Sequence, residues 1–252
     1  MSAGHGHGPA HHDEGSKRIG LLIAILALVL AFAARQRGDT TPDATLKAAF
    51  ANLWQTQETE GEKKGSWAWL DFGLEPWESP NARYYGACLA AIAVGTAPGD
   101  FKKDPGVALL RTYLNDNLAV QSPFNKAWAL IAAQKLDNLQ TPDEQKKWID
   151  ELFARQQDDG GWNLASLGPY KRKDKSEPAT ASDAYATAIV LNAIGASGDP
   201  RVAKGLAWLR KNQEPTGEWR TASPNKQRDF ATHTGKFLSD AATAYAVIVL
   251  TR

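Results

Sequence analysis

The chain has almost no sulfur. One cysteine, Cys88, and one methionine, the initiator, stand in 252 residues. That excludes an internal disulfide framework, and because a domain of this size needs no such staples the redox compartment stays open. Net charge is equally scarce, with 29 Lys+Arg against 28 Asp+Glu. A chain so near neutral projects no long-range field toward nucleic acid, and no DNA- or RNA-reading motif accompanies it, so nucleic acid is excluded as the main ligand. Chemistry-bearing motifs are missing too: there is no Ser–His–Asp set, no phosphate loop and no haem-attachment CxxCH. Beyond the N-terminal tail the one histidine is His233, which lacks ligand spacing to Cys88. No metal or cofactor site is expected from that pair. No segment shows convincing strand alternation.

What is present begins with a Gly/His-rich stretch, residues 1–18, too polar to pack a core and read as a disordered tail. Its His5, His7, His11 and His12, with Asp13 and Glu14, form a tract of loose affinity for transition metals at most. Ile19–Ala34 follows, an uncharged apolar run of 16 residues. As a helix it spans roughly 24 Å, somewhat short of a bilayer core of about 30 Å. Lys17, Arg18, Arg35 and Arg37 flank it and reach toward headgroups. The run reads as a single transmembrane helix. A buried core helix is the lesser alternative, because the run shows no amphipathic face, and a cleaved signal also stays open, because Ala31-Phe32-Ala33 fits a small-x-small cleavage site. Residues 35–43 read as a linker, and 44–252 as one domain on the extracytoplasmic (periplasmic) side.

That domain is a series of helices joined by Gly/Pro loops. Apolar residues recur at helical spacing in Ala44–Gln57, Asn81–Val94, Pro105–Leu118, Phe124–Leu136, Pro142–Gln156, Ala179–Ile194, Pro200–Asn212 and Gly235–Leu250. The sequence also repeats. KWIDELFARQQDDGGW (Lys147–Trp162) resembles KGLAWLRKNQEPTGEW (Lys204–Trp219), with the tryptophans 57 residues apart. NLWQTQETEGEKKGSW (Asn52–Trp67) is a looser copy, and RTYLNDNLAVQSPF, near Tyr113, fills the remaining slot without a Gly-x-Trp. The pairs Gln57/Trp67, Gln156/Trp162 and Gln213/Trp219 are therefore read as corners. The glutamine bonds exposed carbonyls, glycine supplies the left-handed turn, and the indole folds back over the helix end.

These corners and their Ala/Thr-rich partner helices resemble the QW repeats of the squalene–hopene cyclase and terpenoid cyclase family, which shares its α/α-toroid with protein prenyltransferase β subunits. The resemblance covers most of residues 44–252. It implies an all-α fold with outer helices carrying the Gln…Trp ends and inner helices crowding an axis. A family toroid has about a dozen helices and eight are legible here, so the expected fold is an incomplete toroid of about four helical hairpins.

The family's chemistry does not follow the fold into this sequence. The resemblance implies a DxDD acid motif for cyclisation, and none is present. Asp158-Asp159 belong to a corner, while Asp183 and Asp240 stand alone and read as helix caps. A prenyltransferase-type zinc site is likewise missing. The least ordinary stretch is SWAWLDFGLEPWESP, where Trp67, Trp69, Phe72 and Trp77 interleave with Asp71, Glu75 and Glu78. It reads as a lining for an apolar or sugar-like ligand, or as a cover that plugs the axis or docks a partner. The expected role is a non-catalytic binding or scaffolding subunit of a membrane assembly with protein partners. The alternative is an enzyme acting on a polyprenyl or glycan substrate in the toroid mouth.

Overall fold

The computed structural model describes the backbone of residues 11–252 and the side chains of residues 23–252. Among them are nine α-helices and no strand beyond two isolated bridges. In chain order these are α1 (His11–Gln36), α2 (Ala44–Gln55), α3 (Ala82–Thr96), α4 (Pro105–Asn117), α5 (Pro123–Ala133), α6 (Pro142–Phe153), α7 (Ala184–Ile194), α8 (Pro200–Lys211) and α9 (His233–Leu250). All eight expected helices are present, with ends shifted by a few residues.

Helix starts follow local chemistry. Asp43, Asp104, Ser122, Thr141, Asp183, Asp199 and Thr232 each accept a backbone N–H at an N-terminus, satisfying donors the helix leaves orphaned. Four of these helices place proline in the first turn, where its missing N–H costs nothing. The odd-numbered helices pack in succession, α1 on α3, α3 on α5, α5 on α7 and α7 on α9, and form an inner row. The even-numbered helices α2, α4, α6 and α8 lie outside it, each against the inner helix before it. Small side chains explain the inner row: Ala87, Ala90, Ala91 and Ala93 on α3, or Ala186 and Ala188 on α7, are fully or almost fully buried. The result is an incomplete α/α-toroid of four inner–outer pairs and a fifth inner helix.

The first inner helix differs from expectation. α1 runs back through His11–Arg18, which the composition assigned to a disordered tail; residues 1–10 lie outside the described residues. From Ile23 onward, the apolar run is not a free rod. Ala24, Ala27, Ala31 and Ala34 form a buried stripe in the same core as α3. Such spacing puts four small residues on one helix face, where they permit close approach. The opposite face exposes Ile25, Leu26, Val29 and Phe32. Among the described residues no helix is long and apolar enough to cross a membrane. The transmembrane reading of Ile19–Ala34 falls partly outside the residues whose side chains are described.

The corners have a single geometry. The indole N–H groups of Trp67, Trp162 and Trp219 donate to the carbonyls of Leu53, Leu152 and Leu209 at 2.7, 2.7 and 2.8 Å. In the unit without Gly-x-Trp, the Tyr84 hydroxyl takes the same role and donates to Leu114 at 2.8 Å. Gln57 donates to Gly65 and onward to Gly106 in α4; Gln156 donates to Gly160 and onward to Arg201 in α8. Gln213 donates to Gly217, its own turn.

Candidate functional site

Two long loops meet over the N-terminal ends of the inner helices. The first, between α2 and α3, turns sharply where Leu74 and Glu78 exchange backbone hydrogen bonds of 2.7 Å around a cis Glu75–Pro76 peptide. The second, between α8 and α9, contributes Asn225. Its side chain donates to the Glu75 carbonyl at 2.6 Å and accepts from the Glu75 N–H at 2.8 Å, clamping the loops together. The Trp69 indole lies on α3 where Gly86 leaves room, since a Cβ there would come within 2.3 Å of the ring. Its N–H donates to the Trp77 carbonyl at 2.8 Å, and the Trp77 N–H donates to the Tyr185 hydroxyl at 2.9 Å.

Beneath these loops is a cavity of about 510 Å³, within the range of small-molecule sites. Trp69, Trp77, Tyr85, Tyr185, Phe237 and Tyr245 supply its aromatic wall, and Ile25, Leu238 and Ala241 add aliphatic surface. The aromatic rings form a collar. Phe237 meets Trp77 at 5.8 Å, Trp77 meets Tyr185 at 5.3 Å, and Tyr185 meets Tyr245 at 5.9 Å, all edge-to-face. Buried Trp128 continues it, 5.7 Å from Tyr245 and 4.8 Å from Tyr85, and Tyr85 meets Trp69 at 5.9 Å. This is the arrangement aromatic quadrupoles favour, each ring's edge toward the next ring's face. Burial holds the Tyr85, Tyr185 and Tyr245 hydroxyls above their ordinary range, so they stay protonated at neutral pH.

Three charged side chains line the cavity: Glu75, Glu78 and Arg228. Burial pushes the Glu75 carboxyl up, and the charge of Asp71 adds to it. Of the stretch singled out in the sequence, Trp69, Glu75, Trp77 and Glu78 thus come together here. Trp67 does not, being fully committed to its corner. Asp71 is exposed and accepts from Gly73, while exposed Phe72 offers its carbonyl to the Lys173 ammonium at 2.9 Å. The sequence reading missed Tyr85, Tyr185, Phe237, Tyr245 and Asn225. A signal existed for the first four, as aromatic interruptions in small-residue helices; Asn225 carried none.

The remaining candidates lie elsewhere. Asp183 caps α7, taking the N–H groups of Ala186 at 2.9 Å and Leu164 at 2.6 Å, and burial raises its carboxyl to about 6 despite those bonds. Its counterpart in the next repeat is not Asp240. Ser239 occupies that slot and accepts from Thr221 at 3.1 Å, just as Thr187 and Thr243 accept from Trp162 and Trp219. Asp240 is exposed inside α9, which starts at His233, and so is not the helix cap expected. Cys88 is buried, and desolvation keeps its thiol protonated. No group of three or more metal-ligating side chains occurs among the described residues.

Residues 124–232, from α5 to the loop before α9, match the family described as squalene-hopene cyclase C-terminal domain. The matched segment contains the Trp162 and Trp219 corners. No curated protein matches the chain.

Proposed function

Given that the chain carries a squalene–hopene cyclase-like domain of the terpenoid cyclase superfamily, we propose that it is a non-catalytic binding subunit that holds a hydrocarbon-bodied ligand in the axial cavity. The observation that carries this is the cavity wall: a run of aromatic rings with aliphatic surface beside it, and no acid prepared for alkene chemistry. Protonating an alkene demands an unusually strong carboxylic acid. Glu75, the half-buried acid on the wall, is shifted the other way, because burial and Asp71 both disfavour its charged form. Asp183 is spent on backbone N–H groups, and Asp240 faces solvent.

The apolar run supports membrane association in this reading. With the alanine stripe of α1 turned inward, Leu26, Val29 and Phe32 form the face open to lipid. We place the domain on the extracytoplasmic side, as part of a larger membrane assembly. One observation favours the alternative enzyme: Glu75 does line the cavity, and an acid of raised pKa suits general catalysis on milder substrates such as glycans.

Incubating the full-length protein with squalene, or with a polyprenyl diphosphate, tests the proposal. Squalene is expected to quench tryptophan fluorescence saturably, and neither compound is expected to yield product. Turnover that disappears in Glu75→Gln would reinstate the enzyme.

A further inference from the structure

We propose that the Trp219 corner and α9 form a docking slot for one helix of a partner polypeptide, seated as a fifth outer helix. Its residues, Gln213, Gly217, Val247 and Ile248, are not among those lining the axial cavity. Two earlier corners show what such a slot receives. α4 and α8 are the outer helices that follow a Gln–Gly corner, and both open on Asp-Pro-x-Val, at Asp104–Val107 and Asp199–Val202. In each case the corner amide gives one hydrogen to its own turn and the other to the carbonyl after the proline. Gln57 reaches Gly106 at 3.0 Å, and Gln156 reaches Arg201 at 2.8 Å. Three residues further on, the helix backbone presses on the corner glycine. A Cβ on Gly65 would lie 2.1 Å from the Leu109 oxygen, and one on Gly160 2.9 Å from the Lys204 oxygen.

The Trp219 corner has the same parts, and no outer helix follows it among the described residues. Gln213 bonds its own turn at 2.9 Å, which leaves its second N–H for an onward acceptor. A Cβ on Gly217 would meet nothing nearer than the Gln213 amide at 4.0 Å. Gln213 and Gly217 are exposed, whereas Gly65 and Gly160 are buried. The inner helices repeat the contrast. Leu191 of α7 is 2% exposed and abuts Gly205 of α8; Val247, one repeat later, is 47% exposed, with Ile248 beside it at 44%. The slot thus asks for a first-turn carbonyl with a spare lone pair and an apolar stripe below it, which an amphipathic helix presents. A second copy has no such helix to give, because α2, α4, α6 and α8 already bury their apolar faces on their own inner helices. The occupant is therefore a partner's helix opening in the manner of α4 and α8.

A labelled peptide copying α8, Asp199–Asn212, stands in for the partner. Read by fluorescence anisotropy against the full-length protein, it is expected to bind saturably with a Kd on the order of 10–100 μM. Gly217→Ala, whose Cβ would meet the peptide backbone, is expected to weaken it at least about tenfold. Val247→Glu, which puts a charge into the apolar contact, is expected to do the same without touching the corner. Squalene quenching, which reports on the cavity, is expected to be unchanged in both, so this inference and the cavity reading fail separately. No saturable binding up to about 1 mM peptide, or binding indifferent to both substitutions, would overturn the inference. So would a full-length protein that is dimeric alone and monomeric as Val247→Glu, because a second copy would then fill the slot.

Discussion

The outer corners and the axial mouth both depend on tryptophan, and they use it in opposite ways. At the corners, Trp67, Trp162 and Trp219 are at most 3% exposed, and each gives its N–H to the leucine carbonyl near the end of its own outer helix. The ring is wholly consumed by the fold. At the mouth, the Trp69 and Trp77 N–H groups bind other aromatic residues, and ring surface is left to line a cavity. One residue type serves as a fastener in the first place and as a binding wall in the second. The difference lies in what the indole nitrogen reaches.

The largest expected effect follows from the corner role. Trp162→Ala should cost about 3–5 kcal/mol, the scale for removing a buried large aromatic, because it also orphans the Leu152 carbonyl. Denaturant unfolding measures this, and an unchanged midpoint would break the corner side of the comparison. Asp183 gives the next effect. Its folded-state pKa, about 6, lies above its ordinary 3.8, so the folded protein binds this proton more tightly than the unfolded chain. The resulting stability is fully present below about 3.8 and is lost as pH rises through about 6, up to about 3 kcal/mol in all. Asp183→Asn should flatten that part of the stability–pH curve. Ser239, in the equivalent slot, has nothing to titrate.

A smaller effect separates two corners of similar geometry. Gly65 and Gly217 both sit at φ +91°, but a Cβ at Gly65 would lie 2.1 Å from the Leu109 carbonyl oxygen, whereas at Gly217 the nearest atom is 4.0 Å away. Gly217→Ala should therefore cost about 1 kcal/mol, the backbone strain alone, and Gly65→Ala about 2 kcal/mol more. Equal losses in thermal melts would show that α4 yields freely at this contact.

The corners were legible in the sequence because their bonds are local. Trp162 and Leu152 are 10 residues apart, so glutamine, glycine and tryptophan recur as a motif that the eye can align. The same alignment slipped by one residue at Asp240, since the feature that repeats is a hydroxyl or carboxylate oxygen meeting a backbone N–H, and Ser239 supplies it as well as Asp183 does. Tyr84 escaped notice for a related reason: a phenol replaces an indole from a different helix. The mouth was only half legible. Glu75 meets Asn225 across 150 residues and Trp77 meets Tyr185 across 108, and no local pattern encodes such pairings. The apolar run was read as lacking an amphipathic face, because hydropathy registers the alanines of α1 as lipid-compatible but not that one stripe of them packs into the inner row.

The division of labour between corner and mouth is tested most directly by Trp77→Leu, assayed side by side for melting temperature and squalene binding against Trp162→Phe. Trp77→Leu is expected to cost about 1–2 kcal/mol, less than the corner variant, because leucine keeps part of the half-buried packing while the Tyr185 hydroxyl loses one donor, and to lose at least about tenfold in affinity. Trp162→Phe is expected to melt early and, where folded, to bind as the parent does. A Trp77→Leu protein that binds squalene normally, or that unfolds as readily as the corner variant, would contradict the account.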